Sequence, residues 1–222
     1  MDHRLDHVGA PENVVSDLSV AKNGLELIML AGKGIERTLP QLRASLQAKI
    51  VISDEAVLEV VTVVELIDRA RAAREHSYAP YSHFNVGAAI LAGNIKGERL
   101  IVGGCNVENA AYGSTVCAER TAAFSAVKEG FRRFYAYAVV GGFDDSTPRR
   151  LRAIAQRGYV TPCGPCQQVT NEFEEPNCAV ILARDTGEVL ITTLGYLPAG
   201  FGPRALGVRA SDYDRHSLKA TR

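Results

Sequence analysis

The chain has 222 residues, with 25 Lys plus Arg balanced by 25 Asp plus Glu, an apolar fraction of 46% and 7% aromatics. That composition suits one well-buried core, and the absence of net charge or of a Lys/Arg run argues against a protein that grips long nucleic acid by its phosphates. The longest apolar runs, 27–31 and 57–64, fall far short of the roughly 20 residues needed to cross a bilayer as a helix.

The first residues, Met1-Asp2-His3-Arg4-Leu5-Asp6, lead into no apolar core of a secretory signal, so a cytoplasmic protein is expected. Five cysteines, Cys105, Cys117, Cys163, Cys166 and Cys178, are an odd number for a disulfide framework. Reduced thiols are expected instead, with metal binding as the leading use of the close pair.

In chain order, residues 1–20 lack periodicity and read as a flexible arm. From 21 to 60, Leu25, Ile28, Leu30, Leu39, Leu42, Leu46 and Ile50 recur at three- and four-residue steps, which predicts two helices. Asp54 is a fair N-cap for a further helix to about residue 73, with Val57, Val60, Val61, Val64 and Ile67 on its apolar face. A turn at Tyr78-Ala79-Pro80-Tyr81-Ser82 precedes two predicted strands, 84–91 and 100–104, joined by a hairpin. A helix is predicted over 117–129, ended by Gly130, then a β-prone run at 134–140 and a polar loop over 142–160 with a helical piece at 149–157. Pro162-Cys163-Gly164-Pro165-Cys166 opens a helix to about 173, and strands follow near 179–183 and 189–193. This order predicts an α/β protein with a mixed sheet covered by helices. Residues 1–60 read as a partly helical N-terminal extension, 61–206 as the main domain and 207–222 as a polar tail.

The chemistry concentrates in Cys117-Ala118-Glu119 and, further on, Cys163-Gly164-Pro165-Cys166. A Cys-x-x-Cys at a helix start places two sulfurs about one turn apart on one face. Each cluster is predicted at a helix N-terminus, where free N–H groups and the helix dipole favour the thiolate that a metal requires. Three sulfurs from two helices suit Zn²⁺, and three protein ligands rather than four leave a coordination place for a water that the metal acidifies. Glu119 then stands where a proton carrier is needed. Three thiolates make such a site net negative, and Arg120 with the two helix N-termini can offset this. Cys-x-x-Cys by itself also fits a redox pair or half of a structural zinc site. Cys-x-Glu followed by Pro-Cys-x-x-Cys, however, matches the signature of the zinc deaminases. Cys105 and Cys178, in predicted strands, read as small buried hydrophobes.

With these residues in place, the chain resembles the small zinc-dependent cytidine deaminases of pyrimidine salvage. The resemblance runs from about residue 64 to 206 through five blocks in order: Tyr78-Ala79-Pro80-Tyr81-Ser82-His83-Phe84-Asn85-Val86-Gly87-Ala88-Ala89; Gly104-Cys105-Asn106-Val107-Glu108-Asn109-Ala110-Ala111-Tyr112-Gly113; Cys117-Ala118-Glu119-Arg120-Thr121-Ala122; Pro162-Cys163-Gly164-Pro165-Cys166-Gln167-Gln168; and Leu197-Pro198-Ala199-Gly200-Phe201-Gly202-Pro203. It implies a three-layer α-β-α fold around a central mixed five-stranded sheet. One Zn²⁺ per subunit would be held by Cys117, Cys163 and Cys166, with Glu119 catalytic and Arg120 balancing charge. The substrate contacts implied are Phe84 on the pyrimidine, Asn106 and Glu108 on the ribose, and Ala118, Tyr112 and Phe201. Phe201 resembles a residue that reaches a neighbouring subunit's pocket, which implies a homotetramer with shared sites. Gln167 stands where many relatives carry Arg, so Arg120 would carry more of the charge balance.

The residues alone leave blander readings open: Asn106 and Glu108 could be a solvated strand end, and Phe84 a core aromatic. The implied reaction is hydrolytic deamination of cytidine and 2′-deoxycytidine. Against it stand a deaminase of another aminopyrimidine nucleoside, such as an antibiotic of the blasticidin S type, a polynucleotide deaminase, and a non-enzymatic zinc module. The last would need a fourth ligand and has no use for Glu119. A nucleoside substrate is expected, with neither nucleic acid nor membrane as partner.

Overall fold

The computed structural model describes residues 19–20, 26–29, 35–44, 49–53, 56–144, 146–147 and 158–193. In chain order the elements are β1 (Ser19–Val20), β2 (Glu26–Met29), β3 (Ile35–Thr38), α1 (Leu39–Ala44), β4 (Lys49–Ser53), β5 (Ala56–Glu59) and α2 (Val60–Arg74). They continue with β6 (Phe84–Gly93), β7 (Arg99–Cys105), a 3₁₀ turn (Tyr112–Ser114), α3 (Ala118–Lys128) and β8 (Arg133–Phe143). The last are α4 (Gly164–Phe173), β9 (Glu174–Ala183) and β10 (Glu188–Thr193). The main sheet has the order β3-β10-β9-β8-β6-β7, and a small second sheet has the order β1-β2-β4-β5. The main sheet is mixed: β8 and β9 run parallel, with α4 as the crossover a parallel pair requires, and its other neighbours are antiparallel.

Side-chain alternation along the central strands divides the core in two. Ala89 and Leu91 of β6, Ala138 and Val140 of β8, and Ile181 and Ala183 of β9 face α2, which presents Val63, Val64, Leu66, Ile67 and Ala70 at three- and four-residue spacing. Their neighbours Ile90, Ala92, Val139, Val180 and Leu182 pack on the opposite side with Ala122, Ala123 and Ala126 of α3 and with Val169 and Phe173 of α4. Val63, Leu66 and Ile67 are fully buried, each contributing roughly 1.5–3 kcal/mol. These are the three layers the resemblance implies. Gly87 lets α2 lie directly on β6, since a Cβ there would sit 2.0 Å from the Ala70 carbonyl oxygen.

Three expectations need correction. The main sheet has six strands rather than five, because β3 pairs antiparallel with the outer edge of β10, from Ile35 opposite Ile191 to Thr38 opposite Glu188. The helical N-terminal extension is mostly strand: among the described residues of 21–60, β2, β3, β4 and β5 outnumber the one short helix α1. The periodic leucines mimicked a helix, but pairing with β10 and between β4 and β5 satisfies these backbones instead. Among the described residues, Leu39 and Leu42 use the helical step, packing 6% and 1% exposed into the α2 side of the core. The Leu39 N–H donates to the Gly187 carbonyl (2.7 Å), which fixes α1 to the turn between β9 and β10. α2 begins at Val60 with Glu59 as its N-cap residue, later than an Asp54 cap would place it, because 56–59 is spent on β5. Of the arm expected over residues 1–20, Ser19–Val20 pair with β2 as β1, while its first 18 residues, Asp54, the helical piece at 149–157, and the block and tail from Leu197 onward, Phe201 included, lie outside the described residues.

Candidate active site

Both cysteine clusters start helices on the same side of the sheet. Cys117 is the N-cap residue of α3 and Cys163 that of α4, each with extended backbone and no side-chain cap hydrogen bond, so both sulfurs sit at the positive end of a helix dipole. Cys166 follows one turn into α4, and Pro165 sits in that first turn, where a missing N–H costs nothing. The Gln167 amide donates to the Pro162 carbonyl (2.9 Å), closing the Pro162–Gln167 turn. α3 is held against β7 at Gly104, where a Cβ would meet the Ala122 nitrogen at 2.3 Å and the Ala118 oxygen at 2.6 Å.

The three sulfurs converge. Cys117 and Cys163 Sγ are 3.7 Å apart, Cys163 and Cys166 Sγ 3.2 Å, and all three lie within 4.8 Å of one another. Two sulfurs on a tetrahedral zinc, each about 2.3 Å from it, stand about 3.8 Å apart, so the donor set fits that ion. Among the described residues this is the group of cysteine, histidine or acidic side chains close enough to share a metal, and it contains no fourth donor. Hydrogen bonding from the Cys166 thiol outweighs burial and, with the Arg120 guanidinium, holds the Cys117 thiol well below the ordinary thiol range, at about 5. Cys166 is pushed up by that same hydrogen bond and by burial. The Arg120 Nη2 reaches Cys117 Sγ at 3.7 Å while donating to the Thr115 carbonyl at 2.8 Å.

Glu119 is 5% exposed in the first turn of α3, and burial pushes its carboxyl up to about 7, with the Cys117 thiolate adding to the rise. A carboxyl that gains and loses a proton near neutral pH suits general acid–base chemistry in both directions.

A family model described as "Cytidine and deoxycytidylate deaminase zinc-binding region" matches residues 62–182, more than half of the chain. The chain belongs to this deaminase family. A cytidine deaminase of Sporosarcina psychrophila is 42% identical over 149 residues, covering 67% of this chain and 97% of its own length. Another from Halalkalibacterium halodurans is 42% identical over 137 residues, covering 61% and 91%. The crystal structure of cytidine deaminase from Burkholderia pseudomallei superimposes with a TM-score of 0.50 at 44% identity, covering 62% of this chain and 97% of that one.

Ala118 is fully buried between Cys117 and Glu119. Phe84 opens β6, half-buried and edge-on to Phe143 with ring centroids 4.9 Å apart; two residues on, Val86 packs on the α3/α4 side, the face that Phe84 shares. Asn106 is 8% exposed and spends its amide on β6, accepting from the Val86 N–H (2.9 Å) and donating to the Phe84 carbonyl (2.9 Å). The Glu108 carboxylate accepts from the N–H groups of Tyr81 (3.0 Å) and Ser82 (3.2 Å) and from the Ser82 hydroxyl (2.5 Å). Burial works against its ionisation, but these hydrogen bonds win and hold it below the ordinary carboxylate range. Asn106 and Glu108 are thus both tied to the segment that carries Phe84. Tyr112 is 76% exposed and stands edge-on to Tyr81 at 6.1 Å, away from the sulfur cluster's own contacts.

Sequence reasoning assigned nothing to Gly104, to the Thr115 carbonyl or to Ser82. The paired glycines Gly103-Gly104 at the end of a strand were the available signal for the first. Nothing in the chain pattern marks a carbonyl as the anchor of Arg120.

Proposed function

We propose that this protein hydrolyses cytidine and 2′-deoxycytidine to uridine and 2′-deoxyuridine with release of ammonia, using one zinc ion per subunit. The observation that carries the reading is the triad of converging sulfurs with a buried carboxyl, Glu119, two residues from one of them. Cys117, Cys163 and Cys166 would hold the ion. When bound, zinc supplies a Lewis acid that brings the pKa of a coordinated water down to about 7.

Glu119 takes a proton from the attacking water and delivers it to N3 as the water oxygen adds to C4. It then carries the water's second proton to the exocyclic nitrogen as the C4–N4 bond breaks, so that ammonia leaves and C4 becomes a carbonyl. Arg120 offsets the negative charge of the three sulfurs. Phe84 packs on the base, Asn106 and Glu108 engage the ribose while the Asn106 amide also orders the strand that presents Phe84, and Ala118, Tyr112 and Phe201 complete the pocket. By the same resemblance the working form is a cytoplasmic homotetramer serving pyrimidine salvage, with Phe201 of one chain reaching its neighbour's pocket.

Purified protein incubated with cytidine, deoxycytidine, CMP and a cytosine-containing oligonucleotide, followed by the ultraviolet change on loss of the amine, tests this. Turnover of the two nucleosides is expected. Reaction only with CMP or the oligonucleotide overturns the substrate class, and a zinc-loaded protein inert towards all four overturns the enzyme. Full activity in a protein that sediments as a monomer removes the shared site.

A further inference from the structure

The segment from Tyr78 to Phe84, at the entry to β6, is unusually constrained for an exposed loop. It is pinned by backbone bonds of Tyr78 N–H to Asn106 (2.9 Å) and of Glu108 N–H to Tyr78 (2.8 Å). It turns at His83, whose φ of 57° lies in the left-handed region that residues other than glycine seldom adopt. That turn is held on both sides: His83 N–H donates to the Ala79 carbonyl (3.0 Å), the Asp144 N–H donates to the His83 carbonyl (3.0 Å), and His83 Nδ1 lies 3.4 Å from the Asp144 carboxylate. Backbone held so firmly in a sparsely populated conformation marks a place where geometry matters.

The turn folds Ser82 back between Glu108 and the start of β6. Its hydroxyl donates to Glu108 Oε1 (2.5 Å) and accepts from the Phe84 N–H (3.0 Å), so both its hydrogen-bonding roles are used inside the protein. A carboxylate offers about four acceptor positions. Three of Glu108's are filled by Ser82 Oγ, Ser82 N–H and Tyr81 N–H, leaving one for an outside donor.

We propose that Ser82 is a positioning residue for nucleoside binding: its hydroxyl couples the Glu108 carboxylate to the backbone of Phe84, so that the sugar acceptor and the base-packing ring are set as one unit, with one carboxylate lone pair aimed outward for a sugar hydroxyl. The proposal rests on the reading of Glu108 and Phe84 as substrate contacts. Ser82 is exposed and takes no part in the sulfur cluster, so its effect falls on binding rather than on the chemical step.

The test compares wild type, Ser82→Ala, Ser82→Thr, Glu108→Gln and the double variant Ser82→Ala/Glu108→Gln, measuring KM and kcat for cytidine, zinc content and the thermal midpoint. For Ser82→Ala, KM is expected to rise at least about tenfold, the factor carried by one hydrogen bond to a charged group, with kcat changed no more than about threefold. Zinc content and midpoint stay at wild-type values, Ser82→Thr restores KM, and in the Glu108→Gln background the Ser82→Ala change adds less than about twofold. A raised KM in Glu108→Gln with a normal KM in Ser82→Ala overturns the positioning role and leaves the substrate reading intact. A normal KM in Glu108→Gln overturns the sugar contact itself. Equal losses of kcat, zinc and thermal midpoint in Ser82→Ala, without rescue by threonine, also overturn the proposal, because they mark a structural role.

Discussion

Gly104→Ala gives a direct test of how the fold positions the metal ligands. The added Cβ would sit 2.3 Å from the Ala122 nitrogen and 2.6 Å from the Ala118 oxygen, both backbone atoms that no rotamer change can move. Ordinary contact starts near 3.4 Å, so α3 has to retreat from β7 by about 1 Å. Overpacking of this kind costs roughly 1–3 kcal/mol, and the reduced freedom of the unfolded chain returns about 0.4–1 kcal/mol of it. A net destabilisation of about 1–2 kcal/mol is expected. Activity should suffer more, because Cys117 and Glu119 ride on the displaced end of α3 while Cys163 and Cys166 stay with α4. A displacement of about 1 Å in a catalytic constellation can cost on the order of 100-fold. Urea unfolding, kcat/KM for cytidine and zinc content measured on the same preparation read the three effects. Gly158→Ala, where an added Cβ meets nothing within 4 Å, serves as the control and should stay within about 0.5 kcal/mol of wild type. Wild-type stability, zinc content and kcat/KM in Gly104→Ala would show that the close approach of α3 to β7 does not position the ligands.

Glu119→Gln should lose about 100- to 10,000-fold in kcat while zinc, measured by atomic absorption, stays bound; near-normal turnover removes Glu119 from the proton path. Cys163→Ala should lose zinc and activity together and unfold at lower denaturant, and a chelator acting on wild type should do the same reversibly; stoichiometric zinc in the variant refutes the ligand assignment. Leu42→Ala, at a 1% exposed position against α2, should cost about 2–5 kcal/mol in chemical denaturation, and a change under about 0.5 kcal/mol would mean that α1 does not pack as described. Arg120→Met should weaken zinc retention against a graded chelator, since the Cys117 thiolate loses its cationic neighbour at 3.7 Å; unchanged retention would place the charge balance with the helix N-termini alone.

How much could be read in advance follows from the range of each interaction. The cysteine spacing, Glu119 two residues beyond Cys117, and the proline and glycine punctuation are local signals. They placed the starts of α3 and α4 and the strands from β6 to β10 close to where they lie, and they picked out the three cysteines whose sulfurs converge. The stretch 21–60 was misread because, among its described residues, the three- and four-residue leucine steps are satisfied helically at Leu39 and Leu42 while the other described segments pair as strands. The partner that makes β3 a strand, β10, lies 150 to 156 residues away in sequence, pair by pair, and leaves no trace in the local pattern. Asn106 and Glu108 could be chosen as polar residues of interest, but not shown to be tied to Val86, Phe84 and Ser82.

Residue chemistry by itself determined which atoms can bind a metal, which carboxyl stands beside them and which helix ends favour thiolates, since these depend on side-chain type and short spacings. Tertiary structure alone decided that Cys117 meets Cys163 across 46 residues of chain, that burial lifts Glu119 towards neutrality, and that an edge strand from the N-terminal region widens the sheet. The reason is common to all three: convergence, desolvation and strand pairing are set by what surrounds a residue in space, and those surroundings come from distant parts of the chain.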